Sequence, residues 1–594
     1  MFLSLLVAAA VAHAVPDTLQ PVRVIADRGV IVSRADTVSI DHSLDVSSVL
    51  LAAPGVYAGD YGGAAGLKTV SLRGLGSAHT AIYIDGVRAG NVQSDQIDLG
   101  MPSLDAFSSV TVDYAQNSLS FNTARPNLEG KRIGGHVRML AGSFGTYRPY
   151  ARIDVPLGRQ MSLSVNGGAI ISQGNFPLAD GSLRTNNDIL QIQTGADLFG
   201  TVGGGKLHAK AYYNSADRGT PGSLSWPSSD RQKDRNAFAQ AVYSKDFSRL
   251  YSLNLSAKGA YDKLLYLSEW GDSDYAQTEF QLNSSHQFRI TDSFTASLAA
   301  DFQWDGLASG LYNESRIGSV IALAAAYSTE RFKAGIALEG DSVIDSDGGT
   351  WLNLSPSADL RFTVIPGLDL VAFGRRAFRA PTFNELYYPG YGNSGLRPEY
   401  ALMADAGIDF NRRLGSWRIQ ARIDGFYNNL TDKIISAPSE ADPMVWLPYN
   451  VGKVDALGAD ALAAVTFASG EFEAGLTLRY GYQSSVDKTP DSYSFGQQLP
   501  YIAKHSASAA GKLAWKGWSL EPVWTLRAGR VDSAGEMPDW DTLDLSAGKE
   551  FRFGGRWILG LKVTGRNLLD KRYEIVSGYP MPGRSVIGGI ELRF

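Results

Sequence analysis

The sequence predicts an all-β transmembrane barrel of about 22 antiparallel strands behind a separate N-terminal segment, and three observations carry that prediction. Glycine supplies 64 of the 594 residues and charged residues only 19%, against roughly 7% and 25% in ordinary globular chains. With 27 Tyr and 11 Trp, that mixture suits strands that meet lipid on one side. From about Gly142 onward, apolar and polar residues alternate with period two, segment after segment. No stretch approaches the ~18 consecutive apolar residues of a membrane helix; the longest candidate, 320–326, is far too short.

The alternation can be read residue by residue. In Met161-Ser-Leu-Ser-Val-Asn166, Met161, Leu163 and Val165 point one way and Ser162, Ser164 and Asn166 the other. Gln191, Gln193 and Asp197 likewise oppose Leu190, Ile192 and Leu198, and Tyr251-Ser-Leu-Asn-Leu-Ser-Ala-Lys258 repeats the pattern. A soluble sandwich shows the same period but needs a second sheet over each apolar face. No core boundary interrupts residues 142–594, so a barrel with lipid outside and a polar lumen fits better. At roughly 20 residues per strand and connection this length gives about 22 strands. The polar intervals 217–234, 341–349 and 436–448 read as extracellular loops, where ligand chemistry belongs.

The first 14 residues form an apolar run closing on Ala12-His13-Ala14, a secretory signal with an Ala-x-Ala cleavage site, though no basic residue precedes the run. Residues 15–45 are polar and read as linker around one patch, Asp17-Thr-Leu-Gln-Pro-Val-Arg-Val-Ile-Ala26. A folded segment, 46–141, is organised around Val70-Ser-Leu-Arg-Gly-Leu-Gly-Ser-Ala-His-Thr-Ala-Ile-Tyr-Ile-Asp-Gly-Val-Arg88. There two short apolar strands flank a Gly/Ser turn, and Asp85-Gly86 makes a second turn. Val49-Leu-Leu-Ala-Ala-Pro-Gly-Val56 precedes it; Ile97-Asp-Leu-Gly100, Ser109-Val-Thr-Val-Asp113 and Ile133-Gly-Gly-His-Val-Arg-Met139 follow.

In this order and spacing the motifs resemble the plug domain of TonB-dependent outer-membrane receptors. Two later stretches resemble the same family. One is Ala377-Phe-Arg-Ala-Pro-Thr-Phe-Asn-Glu-Leu-Tyr387, continuing through Gly395-Leu-Arg-Pro-Glu399. The other is Asn567-Leu-Leu-Asp-Lys-Arg-Tyr573 with Pro582-Gly-Arg584 and a last strand ending on Phe594. The resemblance covers almost the whole mature chain. It implies a signal peptide (1–14), a TonB box and linker (15–45), an α+β plug (46–141) filling the lumen, and the barrel (142–594). It implies the outer membrane of a Gram-negative bacterium, with plug and box on the periplasmic side. TonB, of the inner-membrane energy-coupling complex, would grip the box at Thr18, Leu19, Val22, Arg23, Val24, Ile25 and Ala26. Other partners would be outer-membrane lipid, a transported small ligand and a surface lipoprotein.

The resemblance also implies specific contacts. The plug turns are Gly74, Asp85 and Gly86. The family's buried plug arginine matches Arg73, and its barrel acids match Asp405 and Asp460. Alternation agrees independently. Asp405 and Asp409 lie opposite Leu402 and Ile408, and Asp460 lies opposite Leu457 and Val465, so the acids face the lumen. Leu253, Leu255, Ile408, Val465, Leu592 and Phe594 should face lipid. After Val110-Thr-Val112 the family carries Arg-Gly-Pro, whereas this chain has Asp113-Tyr114-Ala115; a second plug arginine is missing.

Other functions fit poorly. A net charge of -5 argues against a nucleic-acid partner, and no cysteine is available for disulfides, thiolate metal sites or nucleophiles. The seven histidines are scattered without a catalytic motif, so no enzyme and no covalent cofactor is expected. Asp345-Ser-Asp-Gly348 and Asp272-Ser-Asp274 lack the closing carboxylate of a calcium loop. Related cobalamin receptors bind calcium through loop aspartates, which makes Asp230 and Asp234 weak metal candidates. The loop Asp217-Arg-Gly-Thr-Pro-Gly-Ser223 resembles the cobalamin-receptor branch. The transported ligand is therefore expected to be cobalamin or a related corrinoid. The alternative is a ferric siderophore, and a passive porin is more remote.

Overall fold

The computed structural model describes residues 35–40, 45–51, 53–94, 96–126, 128, 133–439 and 446–594. The expected signal peptide (1–14) and TonB box (18–26) lie outside them. Twenty-two antiparallel strands close into one barrel, so every spanning strand has a neighbour on both sides and no edge is left open. Closure is made by Gly134–Gly142 against the last strand, Ser585–Arg593, with Ile587 opposite Gly142 and Arg593 opposite His136. By its sequence most of this segment reads as the end of the plug (46–141). Its partner is at the far end of the chain, a pairing that local pattern cannot reveal.

The two faces of the wall follow the alternation. Ser164, Asn166, Gln191, Gln193 and Asp197 are buried toward the lumen, while Val165, Leu190 and Ile192 are exposed outward. Connections on one rim are short, such as 203–204, 415–416 and 470–471; the opposite rim carries 173–188, 380–398, 488–504 and 567–584. Three expected loops prove shorter. Strands Gly205–Gly219 and Arg231–Asp246 leave only 220–230 between them, and Phe332–Asp345 takes up most of 341–349. Trp417–Pro438 and Trp446–Ser469 run for 22 and 24 residues, carrying a hairpin past the rim where 436–448 had read as loop.

Inside lies the plug. β1 (Ala35–Ser39), β4 (Ala81–Ile84), β5 (Val87–Ala89), β6 (Ser109–Asp113) and β7 (Ser118–Asn122) form one sheet in the order β1-β6-β7-β4-β5, with β4 and β7 parallel. β2 (Val56–Asp60) and β3 (Lys68–Leu72) form a separate hairpin. Thus β3 and β4, which flank the Gly/Ser turn, do not pair with each other. β1 belongs to the plug, although the sequence reading counted it as linker. α1 (Val46–Leu50) is capped by Asp45, whose Oδ1 accepts the Ser48 N–H at 2.8 Å.

Val49, Leu50, Leu72, Leu99, Phe107, Val110, Leu119 and Phe121 fill the plug's core. Part of its contact with the wall is apolar, with Leu75 and Ala115 packing on Phe373, Met403 and Leu430 and Val87 on Val242; the rest is polar. Wall side chains donate to plug carbonyls: Gln191 to Met101 at 2.7 Å, Gln240 to Ile84 at 3.0 Å and Lys258 to Arg88 at 2.9 Å. These bonds satisfy buried carbonyls that would otherwise cost about 1–3 kcal/mol each.

Candidate functional site at the junction of plug and barrel

Arg73 follows β3 in a left-handed conformation (φ 47°), and Gly74 continues it (φ 79°). A Cβ on Gly74 would collide with Ser485 Oγ, so only glycine lets this turn lie against the wall. The turn aims the Arg73 guanidinium, 3% exposed, at two wall acids. Nη1 donates to Asp405 Oδ2 at 2.7 Å and Nε to Asp460 Oδ2 at 3.0 Å. Tyr114 and Phe426 sandwich it, with ring centroids 4.3 and 4.4 Å from Cζ. The Arg73 N–H donates to Gly55 at 2.8 Å, and Asn428 donates to the Arg73 carbonyl at 3.0 Å.

The missing second arginine is replaced from the other side. Wall residue Arg422 makes two bonds to Asp36 of β1, at 2.8 and 2.7 Å, and lies 2.9 Å from Asp424. Here the plug gives the acid and the barrel the arginine. Sequence reasoning missed this pair, although Arg422 and Asp424, two apart on one strand, shared the lumen face. Between the two arginines lies Tyr114, its ring centroid 4.3 Å from Arg73 Cζ and 5.9 Å from Arg422 Cζ, and its hydroxyl donates to the Pro54 carbonyl at 2.7 Å.

The other plug turn makes a similar junction. Asp85 (φ 50°) accepts the Thr123 N–H at 2.7 Å and the Thr123 hydroxyl at 2.9 Å; Gly86 follows with φ 85°. Wall residue Lys210 lies 3.4 Å from Asp85 and 2.9 Å from Asp197, which His208 also meets at 2.8 Å. Asp85, Asp197 and His208 are the one such convergent group among the described residues, and the Lys210 ammonium already supplies their positive charge. Asp230 instead accepts the Tyr266 hydroxyl at 2.7 Å; Asp234 is buried, accepts from Gln232 at 2.8 Å and lies 3.5 Å from Arg218. The two calcium candidates belong to no convergent group among the described residues. Asp345 is chelated by Arg316 at 2.6 and 2.8 Å.

The stretch Ala377–Tyr387 reaches the plug as well. Thr382 and Glu385 form a capping box on the helix Phe383–Tyr387, and the Phe383 and Asn384 N–H groups donate to Val92 and Gln93 at 3.1 and 3.0 Å. Plug residue His79 sits 2.6 Å from Glu399, which also pairs with Arg379.

At the long-loop rim, the plug loop after β2 meets the barrel loops in an aromatic patch. Tyr57, Tyr61, Tyr501, Tyr573 and Tyr579 pack around Trp540, Ile575 and Met581. Tyr61 meets Tyr579 edge-on at 4.9 Å, and Trp540 and Tyr573 lie 4.5 Å apart. A cavity of about 210 Å³ runs from Trp540, Tyr573 and Met581 to Phe144 and Phe176. Burial pushes the Tyr57, Tyr61, Tyr501 and Tyr573 phenols above their ordinary value, leaving neutral hydroxyls. The nearby arginines are spent on backbone: Arg530 donates to Glu574 and Pro538 at 2.8 Å, Arg572 to Pro177 at 2.7 Å and Arg184 to Gly222.

Family models agree with this architecture. The model of the TonB dependent receptor-like β-barrel matches residues 93–568, and that of the TonB-dependent receptor plug domain matches 25–127. Over 622 aligned residues the chain is 22% identical to the vitamin B12 transporter BtuB of Vibrio vulnificus (strain YJ016), covering 94% of this chain and 91% of that protein. The FrpB iron transporter of Neisseria meningitidis (F3-3 variant) superposes with a TM-score of 0.77 at 14% identity, covering 96% of this chain and all of that one. The copper transporter OprC gives 0.76 at 15%, covering 94% and 98%. At such identities the solved structures share the fold. The barrel model spans more than half of the chain, and the protein belongs to the TonB-dependent receptor family.

Proposed function

We propose that this receptor imports cobalamin or a related corrinoid, within the TonB-dependent outer-membrane transport that its family performs. The observation that carries the ligand reading is the neutral aromatic patch around Trp540. A corrinoid is a broad macrocycle fringed with amides; ring faces suit its plane, and phenol hydroxyls suit its amides. An anionic ferric chelate calls for free guanidinium groups, and the arginines beside the patch are held by loop carbonyls. The near full-length likeness to a vitamin B12 transporter points the same way.

In this reading, ligand at the rim biases the plug loop after β2, whose base is tied by Lys68 and Asp60 at 2.6 Å. That bias favours presentation of the box at residues 18–26 to TonB. The outer membrane has no ATP, so work arrives as a pull on the box, and a locally weak part of the plug must open. The test is a tryptophan-fluorescence titration of purified receptor with cyanocobalamin beside a panel of ferric siderophores. Saturable quenching by cyanocobalamin, weakened in Tyr61→Ala and Trp540→Phe, is expected. Saturation by a siderophore with no response to cyanocobalamin would reverse the ligand assignment.

A further inference from the structure

We infer that the outer wall of strands Gly205–Gly219, Arg231–Asp246 and Tyr251–Leu267 carries a binding site for the phosphate of an outer-leaflet lipid, centred on Arg235 and Lys263. The register places these residues. Thr194, Tyr213, Ala237, Tyr261 and Thr278 stand side by side across five strands on the outward face. Tyr213 and Tyr261 are 41% and 46% exposed, as members of an aromatic girdle at the boundary of hydrocarbon and headgroup are. The next outward row toward the long-loop rim is Ile192, Ser215, Arg235, Lys263 and Ala276. It lies two residues further along, roughly 6–7 Å, which is headgroup depth.

Arg235 and Lys263 are directly opposite each other, an arrangement of like charges that a sheet avoids unless an anion joins them. The neighbouring cations are occupied: Arg231 by Asp188 and Asp217 at 2.9 and 2.8 Å, Lys233 near Asp217 at 3.7 Å, and Lys263 partly by Asp274 at 3.1 Å. Arg235 is exposed and has no ion pair or hydrogen bond among the described residues. Its planar fork suits two phosphate oxygens, and the Lys263 ammonium, shared with Asp274, can turn to a third. Below the pair, Ala237, Ala239 and Ala241 leave a smooth outward strip for acyl chains. Charge complementarity and depth together select a lipid headgroup. With the long-loop rim at the cell surface, this site serves whichever ligand is transported.

The test is native mass spectrometry of the full chain, delipidated in detergent and titrated with bisphosphorylated lipid A or with its dephosphorylated form. Wild type should keep the phosphorylated lipid, and the double variant Arg235→Gln/Lys263→Gln should bind it about tenfold more weakly, a loss typical of one charge-assisted bond. Arg235→Lys, which keeps the charge and loses the fork, should fall between wild type and the double variant, and Lys333→Gln, at the short-turn rim, should behave as wild type; heat-modifiable gel migration checks that each barrel is folded. Equal retention by the double variant, or equal binding of the two lipids by wild type, would overturn the site.

Discussion

Asp405→Ala isolates what holds the plug in its barrel. Arg73 is 3% exposed and Asp405 lies 2.7 Å from it, so solvent screens this contact little. Removing one partner of a buried pair costs about 3–5 kcal/mol, because the remaining charge keeps its desolvation penalty. Asp460 stays within 3.0 Å of Nε and the rings of Tyr114 and Phe426 stay in place, which puts the expected loss near the lower end. About 3 kcal/mol corresponds to a roughly 100-fold shift in a local opening equilibrium. The Arg73 amide, bonded to Gly55, reports that opening. In hydrogen–deuterium exchange it should exchange roughly 100-fold faster in Asp405→Ala, with Asp405→Asn between the variant and wild type. Strands on the far side of the barrel should not change. Unaltered protection of β3 would refute the claim that this pair seats the plug.

Replacing Ile408, which faces lipid, by Arg should cost about 2–4 kcal/mol in reversible unfolding from phospholipid vesicles, whereas a cost near zero would mean that the strand faces the other way. Burial alone would raise the Asp45 carboxyl, but Arg566 at 2.7 Å, Lys68 and the Ser48 amide hold it well below the usual carboxylate range. A depressed value adds stability above roughly pH 4, lost as pH falls further. Asp45→Asn should therefore lower the melting temperature at neutral pH and converge with wild type in acid, and a constant gap at all pH would contradict this. For the proposed TonB box at residues 18–26, an extended peptide on a partner's sheet edge would bond through alternate residues, with Pro21, which lacks an N–H, setting the register. Val24→Pro should abolish uptake while sparing surface binding and Arg23→Pro should be milder; equal damage would defeat that register.

What the sequence disclosed about the fold is what period two encodes. Ser164 and Gln191 read as lumen-facing and Val165 and Ile192 as outward because each strand has one polar and one apolar environment. The same parity put Asp405 and Asp460 inside. It carries no information on depth or on distant partners, and there the reading departed from the structure. Gly134–Gly142 pairs with a strand more than 400 residues away. β1 is only five residues long and gains its place from β6, some 70 residues later. Its Asp36 therefore went unnoticed, and with it the reversed pair to Arg422. The ends of Trp417–Pro438 and Trp446–Ser469 looked like loop because a hairpin beyond the membrane no longer needs an apolar face. The aromatic patch was equally hidden, since Tyr57, Tyr501, Trp540 and Tyr579 come together from four separate segments.

The central claim is coupled import through a plugged barrel, and accumulation of radiolabelled cyanocobalamin by cells expressing this chain tests it most directly. With functional TonB, label should enter the cells and saturate; without it, label should bind the surface and go no further. Equal entry with and without TonB would mean an open pore and would contradict the account.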